Sequence, residues 1–185
     1  MIVTTAKLPD PEIALQTLAS QVKSRAGQDQ CLRHVVGIHS GGAWVARRLL
    51  ALLTQDSAVG ALFDPVIGYL SSAFHRDDYG HNAQRRGLSA IVKGGTELPF
   101  EVTGARILLV DDVLYTGRTL RAAVNELFDY GRPAAVELAV LVDRGTRELP
   151  VHADYVGATV DLSPLEAIVL AQHSDGQFSF SKTEG

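Results

Sequence analysis

Apolar residues along the chain come in short runs separated by polar loops, and two periods alternate. Ile13, Leu15, Leu18 and Val22 recur at helical spacing. Ahead of them, Asp10-Pro11 offers an N-cap acceptor and then proline at the first helical position. This predicts a helix from Pro11 to about Arg25, broken by Ala26-Gly27-Gln28-Asp29. His34 to Ile38 predicts a short strand, followed by the polar loop His39-Ser40-Gly41-Gly42 and a helix from about Ala43 to Leu53. Asp64-Pro65 marks a turn, and Val66 to Phe74 predicts a second strand. From His75 to about Val102 the periodicity dissolves, with strand character only at Leu88 to Val92.

The pattern then sharpens. Ile107, Leu108, Leu109 and Val110 form an apolar run that fits a fully buried strand, ending at Asp111-Asp112. A loop leads to a helix from Gly117 to Tyr130, with Leu120, Ala123, Val124, Leu127 and Phe128 on its apolar face. Gly131 and Pro133 close it. Ala135 to Val142 is a further strand, interrupted only by Glu137. Tyr155 to Val160 and Ala167 to Leu170 predict later strands, and Asp175-Gly176 turns a hairpin into Gln177 to Ser181. The tail from Lys182 to Gly185 is expected to fray. Strands alternating with helices predict an α/β fold, a parallel sheet with helices on both faces.

Composition changes this picture little. The chain has 185 residues, of which 46% are hydrophobic and 21% charged, as in ordinary single-domain globular proteins. A net charge of −4 argues against a dedicated nucleic-acid surface, although it leaves room for a local basic patch. Cys31 is the sole cysteine, so an internal disulfide is impossible and a reducing compartment is expected. No apolar stretch approaches the roughly 20 residues of a membrane span, and the N-terminus lacks a signal-peptide pattern. A cytoplasmic protein with no membrane contact is the expectation.

The candidate chemistry lies where strands end. In open α/β sheets, ligands bind outside the carboxyl ends of the strands. Asp111 and Asp112 offer acceptors for sugar hydroxyls. The loop Thr116-Gly117-Arg118-Thr119, entering a helix, offers N–H donors and a positive dipole end to a phosphate. Together they fit a ribose 5-phosphate. Ser40, Gly41 and Gly42 form a second candidate anion loop at the end of the first strand. The irregular stretch from 75 carries Arg76, Arg85, Arg86 and Lys93 against Asp77 and Asp78, a basic excess suited to a lid over a polyanion. The histidines show no metal-ligand spacing, and Trp44 fits a packing role in the second helix.

The stretch from Val110 to Thr119, V-D-D-V-L-Y-T-G-R-T, resembles the phosphoribosyl pyrophosphate (PRPP) signature of type I phosphoribosyltransferases. The likeness is wider than that motif. H-R-D-D-Y at 75–79, Y-G-R-P at 130–133, L-A-V-L-V-D-R-G-T-R-E-L-P at 138–150 and A-D-Y at 153–155 are similar to the pyrimidine operon regulatory (PyrR) family. That resemblance implies one domain over residues 1–185, a parallel sheet flanked by helices, a flexible flap at about 75–102, C-terminal strands at about 155–181, and a small hood. It implies transfer of the phosphoribosyl group of PRPP to uracil, giving UMP and pyrophosphate. It also implies regulation of pyrimidine genes in response to uridine nucleotides through leader RNA, and a homodimer or higher homo-oligomer. A second reading is a nucleotide-sensing RNA-binding regulator with little catalysis, and a third is transfer to another nucleobase.

The resemblance also implies roles. Asp111 and Asp112 would face the ribose hydroxyls directly or through Mg²⁺, with the metal reached via substrate and water. The stretch Val110, Asp111, Asp112, Val113, Leu114, Tyr115, Thr116, Gly117, Arg118 and Thr119 would bind PRPP. Ser40, Gly41 and Gly42 would hold pyrophosphate, and Arg76 would close over it as a catalytic cation. Asp143, Arg144 and Arg147 would belong to the loop on the base and RNA side, unless the arginines merely pair with Asp143 or Glu148. Three departures stand out. Gly41 replaces a frequent arginine, His39-Ser40 replace a common Lys-Thr, and Ser71-Ser72 stand where relatives carry an acidic residue. A dimer could concentrate Arg25, Arg33, Arg144 and Arg147 on one face to neutralise RNA phosphates.

Overall fold

The computed structural model describes residues 7–71 and 95–184. Of the flap expected at about 75–102, residues 75–94, with Arg76 and the strand at Leu88 to Val92, lie outside the described residues.

Five parallel strands make the central sheet: β1 (His34–Ile38), β2 (Gly68–Leu70), β3 (Arg106–Leu114), β4 (Ala135–Asp143) and β5 (Tyr155–Thr159), in the order β2-β1-β3-β4-β5. Among the described residues the α-helices are α1 (Pro11–Asp29), α2 (Gly41–Thr54) and α3 (Arg118–Tyr130). An antiparallel hairpin, β6 (Glu166–Gln172) and β7 (Phe178–Glu184), follows the sheet.

The two-residue period of β3 explains the layers. Leu108 and Val110 point to a core shared with Leu15, Leu18 and Val22 of α1 and Val45, Ala46 and Leu49 of α2. Ile107 and Leu109 point the other way, to Leu120, Ala123 and Leu127 of α3. Helices therefore cover both faces, as the alternation predicts. Each helix start follows from its sequence. The Asp10 carboxylate accepts from the backbone N–H of Glu12 at 2.8 Å and of Ile13 at 3.2 Å, capping α1. Gly117, at φ 91°, makes the left-handed entry to α3.

Several boundaries differ from expectation. Helix α1 runs on through Gly27 to Asp29 and ends at Gln30 in the left-handed region. Burial of Val22, Ala19 and Ala26 outweighs the propensity cost of one glycine. Ile13 is 66% exposed, so the buried face is drawn by Ala14, Leu15, Leu18 and Ala19 instead. Within the described residues the second strand is only Gly68–Leu70. Strand β7 extends to Glu184, because every residue of it pairs with β6, so the tail does not fray at Lys182. Residues 95–102 lie on the edge of the sheet. Glu97 exchanges backbone hydrogen bonds with Tyr69 at 2.7 and 2.9 Å, and Thr96 donates its hydroxyl hydrogen bond to Glu126 of α3.

One buried charge cluster ties the bottom of the sheet together. Arg33 is wholly buried and donates to Glu137 of β4 at 2.8 Å and to Asp29 of α1 at 2.6 and 3.0 Å. Burial pulls its ionisation down, but the two carboxylates outweigh that and hold it above the ordinary arginine value. Glu137, the one polar interruption in the β4 run, is thus the buried partner of Arg33.

Candidate active site

The sequence expectation ended the third strand at Val110. In the structure β3 continues through the acidic pair to Leu114. The reason is its neighbour. On one side β3 pairs with β1 only as far as Val110, opposite Gly37. On the other it pairs with β4 from Arg106 to Leu114, opposite Asp143. Asp111 and Asp112 therefore stand on a strand held from one side and open on the other. That opening is the place where the strand order reverses, between β1 and β3, the switch-point crevice of open parallel sheets.

The start of α2 fills the wall of this crevice. A Cβ at Gly42 would lie 2.6 Å from the Val110 carbonyl oxygen and 2.9 Å from the Asp111 Cα. A Cβ at Gly41 would overlap the Asp112 carboxylate. The glycine pair thus lets a helix N-terminus come against the backbone of β3, with its first-turn N–H groups lacking intrahelical acceptors. The side chain of Ser40, at the N-cap, makes no capping hydrogen bond to α2. Asp111 is 8% exposed, and its carboxylate accepts from the Asp112 N–H at 3.0 Å, so its orientation is fixed locally. Asp112 is half-buried and Ser40 is exposed. Before the loop, His39 stacks on Tyr69 of β2 with ring centroids 5.3 Å apart. Burial lowers its pKa, against the opposing charge of Glu97, which keeps it neutral at pH 7.

On the far side stands the N-terminus of α3. Thr116 is buried, and its hydroxyl accepts from the Arg118 N–H at 3.2 Å. Gly117, at the N-cap, has no side chain to cap the helix, and the Thr116 hydroxyl takes the first N–H instead. Arg118 is exposed and pairs with Glu148, its Nε donating at 2.8 Å.

The loop after β4 wraps the loop after β3. The N–H groups of Glu148 and Leu149 both donate to the Thr116 carbonyl, at 3.0 and 3.1 Å, and Arg144 N–H donates to the Leu114 carbonyl at 3.0 Å. Arg147 donates to Asp143 at 2.6 Å, to the Tyr115 carbonyl at 3.0 Å and to the Val151 carbonyl at 3.3 Å. Arg144 is buried and lays its guanidinium over the Tyr115 ring, 3.8 Å from the centroid. Sequence reasoning placed these arginines near the site without finding Tyr115 as their common partner. The tyrosine between the acidic pair and T-G-R-T was the available signal. A single basic face built from Arg25, Arg33, Arg144 and Arg147 is not formed within this chain, because Arg33 and Arg144 are inside the fold.

The structure therefore brings together Ser40, Gly41, Gly42, Asp111, Asp112 and the Val113–Thr119 loop, with Asp143, Arg144 and Arg147 behind it. Arg76 is outside the described residues. Among the described residues no group of three or more His, Cys, Asp or Glu could hold a metal by itself.

This geometry has known counterparts. The phosphoribosyl transferase domain family matches residues 6–170. The bifunctional protein PyrR of Ralstonia nicotianae is 48% identical over 182 residues, 96% of this chain and 97% of that protein. This chain belongs to the PyrR branch of the phosphoribosyl transferase family. The PyrR of Nitrosococcus oceani is also 48% identical, over 89% of this chain and 87% of its own length. Among solved structures, the HGPRT-ase of Leishmania tarentolae in complex with GMP superposes with a TM-score of 0.59 at 16% identity, covering 84% of this chain and 81% of that one. The hypoxanthine phosphoribosyltransferase of Trypanosoma cruzi gives 0.58 at 18%, covering 82% and 79%. At that identity these two carry the fold alone. They share with this PyrR-family chain the five-stranded parallel sheet on which the crevice is built.

Proposed function

We propose that this protein transfers the phosphoribosyl group of PRPP to uracil, giving UMP and pyrophosphate, and that it regulates pyrimidine genes in response to uridine nucleotides. The observation that carries the reading is the crevice between β1 and β3, where an acidic pair faces a glycine-paired helix N-terminus, beside a second helix N-terminus entered through Gly117. Family membership narrows the base to uracil.

Displacement at C1 of PRPP passes through a cationic, oxocarbenium-like sugar, so positioning and charge carry the catalysis. Asp111 and Asp112 accept from the 2′- and 3′-hydroxyls and place the ring with C1 towards the attacking nitrogen. The fixed orientation of Asp111 on the Asp112 N–H suits that task. Backbone N–H groups of 116–119 and the Thr116 and Thr119 hydroxyls hold the 5′-phosphate. Ser40, Gly41 and Gly42 hold the leaving pyrophosphate on the N-terminus of α2, and Arg76 closes over it. Two carboxylates and substrate oxygens form a hard donor set that fits Mg²⁺ with retained waters. When bound, Mg²⁺ neutralises pyrophosphate charge. Asp143, Arg144 and Arg147 form the wall on the base side. Residues 1–185 act as one domain, in the cytoplasm, as a homodimer or larger homo-oligomer. Among the described residues no helix is long and apolar enough to cross a membrane.

The direct test is pyrophosphate release from PRPP with uracil, hypoxanthine, guanine, adenine and orotate in parallel. Release with uracil above all others is expected, and release with another base alone would overturn the assignment. For the regulatory half, UMP is expected to strengthen retention of a pyrimidine leader transcript at low salt. No retention with or without UMP would remove RNA from the account.

A further inference from the structure

We propose that Arg144 is a positioning residue for phosphoribosyl transfer that acts through Tyr115. The inference rests on the transfer reading above. Arg144 follows the last residue of β4 and is 7% exposed. Arg33, wholly buried, and Arg147, half-buried, each hold a carboxylate within 2.8 Å. Arg144 has no such pair among the described ion pairs. One Nη donates to the Ser163 carbonyl at 3.2 Å, the plane covers the Tyr115 ring, and the buried Nε has no acceptor among the described groups.

A buried guanidinium with an unfilled donor is costly, and an apolar side chain would fill the same space at less cost. Its principal described contact is the ring of Tyr115. That residue joins the end of β3 to Thr116, where the phosphate-binding turn begins. The backbone of the same residue is held by Arg147, whose Nη1 donates to the Tyr115 carbonyl at 3.0 Å. The two arginines of D-R-G-T-R thus grip one residue from two sides, by ring and by carbonyl. Because the Thr116 carbonyl also receives the N–H groups of Glu148 and Leu149, the loops after β3 and β4 are tied together by backbone hydrogen bonds as well. A stacked plane fixes the tilt of a ring in a way that a point charge does not. The tilt of Tyr115 sets the turn that follows, and with it the distance between the acidic pair and the 5′-phosphate donors.

The test uses the full chain and compares wild type with Arg144→Gln, Arg144→Lys, Tyr115→Leu and the double variant Arg144→Gln/Tyr115→Leu. Steady-state UMP formation and urea stability are measured for each. Arg144→Gln, Arg144→Lys and Tyr115→Leu are each expected to lower kcat at least ~10-fold while KM for uracil stays within about twofold. The double variant should fall no more than about twofold below the weaker single, because both remove one contact. A merely structural role would move stability without this saturation in kcat. Multiplying effects, or wild-type turnover in Arg144→Lys, overturns the proposal. If Arg144→Gln does not fold, Tyr115→Leu decides alone, and unchanged kcat in it overturns the proposal. A wild-type protein that makes no UMP refutes the transfer reading itself, whereas wild-type turnover with an equally active Arg144→Gln refutes only this inference.

Discussion

Gly41 and Asp112 are fitted to one another across the crevice: a Cβ on residue 41 would overlap the Asp112 carboxylate and come within 3.0 Å of its Cβ. The carboxylate proposed for the ribose therefore takes its place from the absence of a side chain on α2. Gly41→Ala should displace Asp112 and lower kcat/KM for PRPP by ~10- to 100-fold, the scale of a small misplacement of reacting groups. Gly41→Arg, which adds a cation beside the acidic pair, should also lose activity, because the same Cβ collides. Steady-state kinetics with varied PRPP check both, and a gain in turnover from Gly41→Arg would contradict this fit.

Gly117 links conformation to phosphate binding. Its φ of 91° is unfavourable for other residues, and a Cβ there would strike Val151. Gly117→Ala should cost ~1–3 kcal/mol of stability and raise KM for PRPP more than KM for uracil. Urea denaturation and two-substrate kinetics separate the two effects.

The stability of the fold's lower side rests on Arg33. Removing it leaves buried Glu137 with only the longer Arg106 pair at 3.6 Å in place of its 2.8 Å partner. Arg33→Ala should destabilise by about 3–5 kcal/mol, the usual cost of stranding one member of a buried pair. Its distance from the crevice, at the opposite ends of β1 and β4, predicts that kcat of the folded fraction is preserved. Chemical denaturation and active-site-normalised turnover test this.

Acid should loosen the hairpin side. The Arg48 guanidinium hydrogen-bonds Glu12 and, with the Phe178 N–H donating at 2.9 Å, holds its carboxyl below its ordinary value of 4.5 despite some burial. The folded pKa is depressed, so this stabilisation is complete above about pH 4.5 and is lost as pH falls through the lower folded value. Amide exchange at Phe178 should accelerate below that range, and Glu12→Gln should remove the dependence.

Much of this architecture was legible in the chain. The apolar run at 107–110 located the central strand, and the Asp10-Pro11 and Gly117 signals marked helix starts, because those are local effects of backbone and side chain. What the sequence hid was set by neighbours. The strand continues through Asp111 and Asp112 because β4 offers partners as far as Asp143. Period and polarity alone placed its end at the first charge. Glu137 looked like an interruption because its partner, Arg33, lies 104 residues away. The grip of Arg144 and Arg147 on Tyr115 joins two loops that sequence presents separately.

The central claim is that the acidic pair at the end of β3 holds the ribose during transfer to uracil. Asp112→Asn keeps the size of the side chain beside Gly41 and removes its charge. UMP formation from PRPP and uracil, measured side by side for this variant and the wild-type protein, is predicted to fall by at least ~10²-fold. Near-normal turnover in Asp112→Asn would contradict the account.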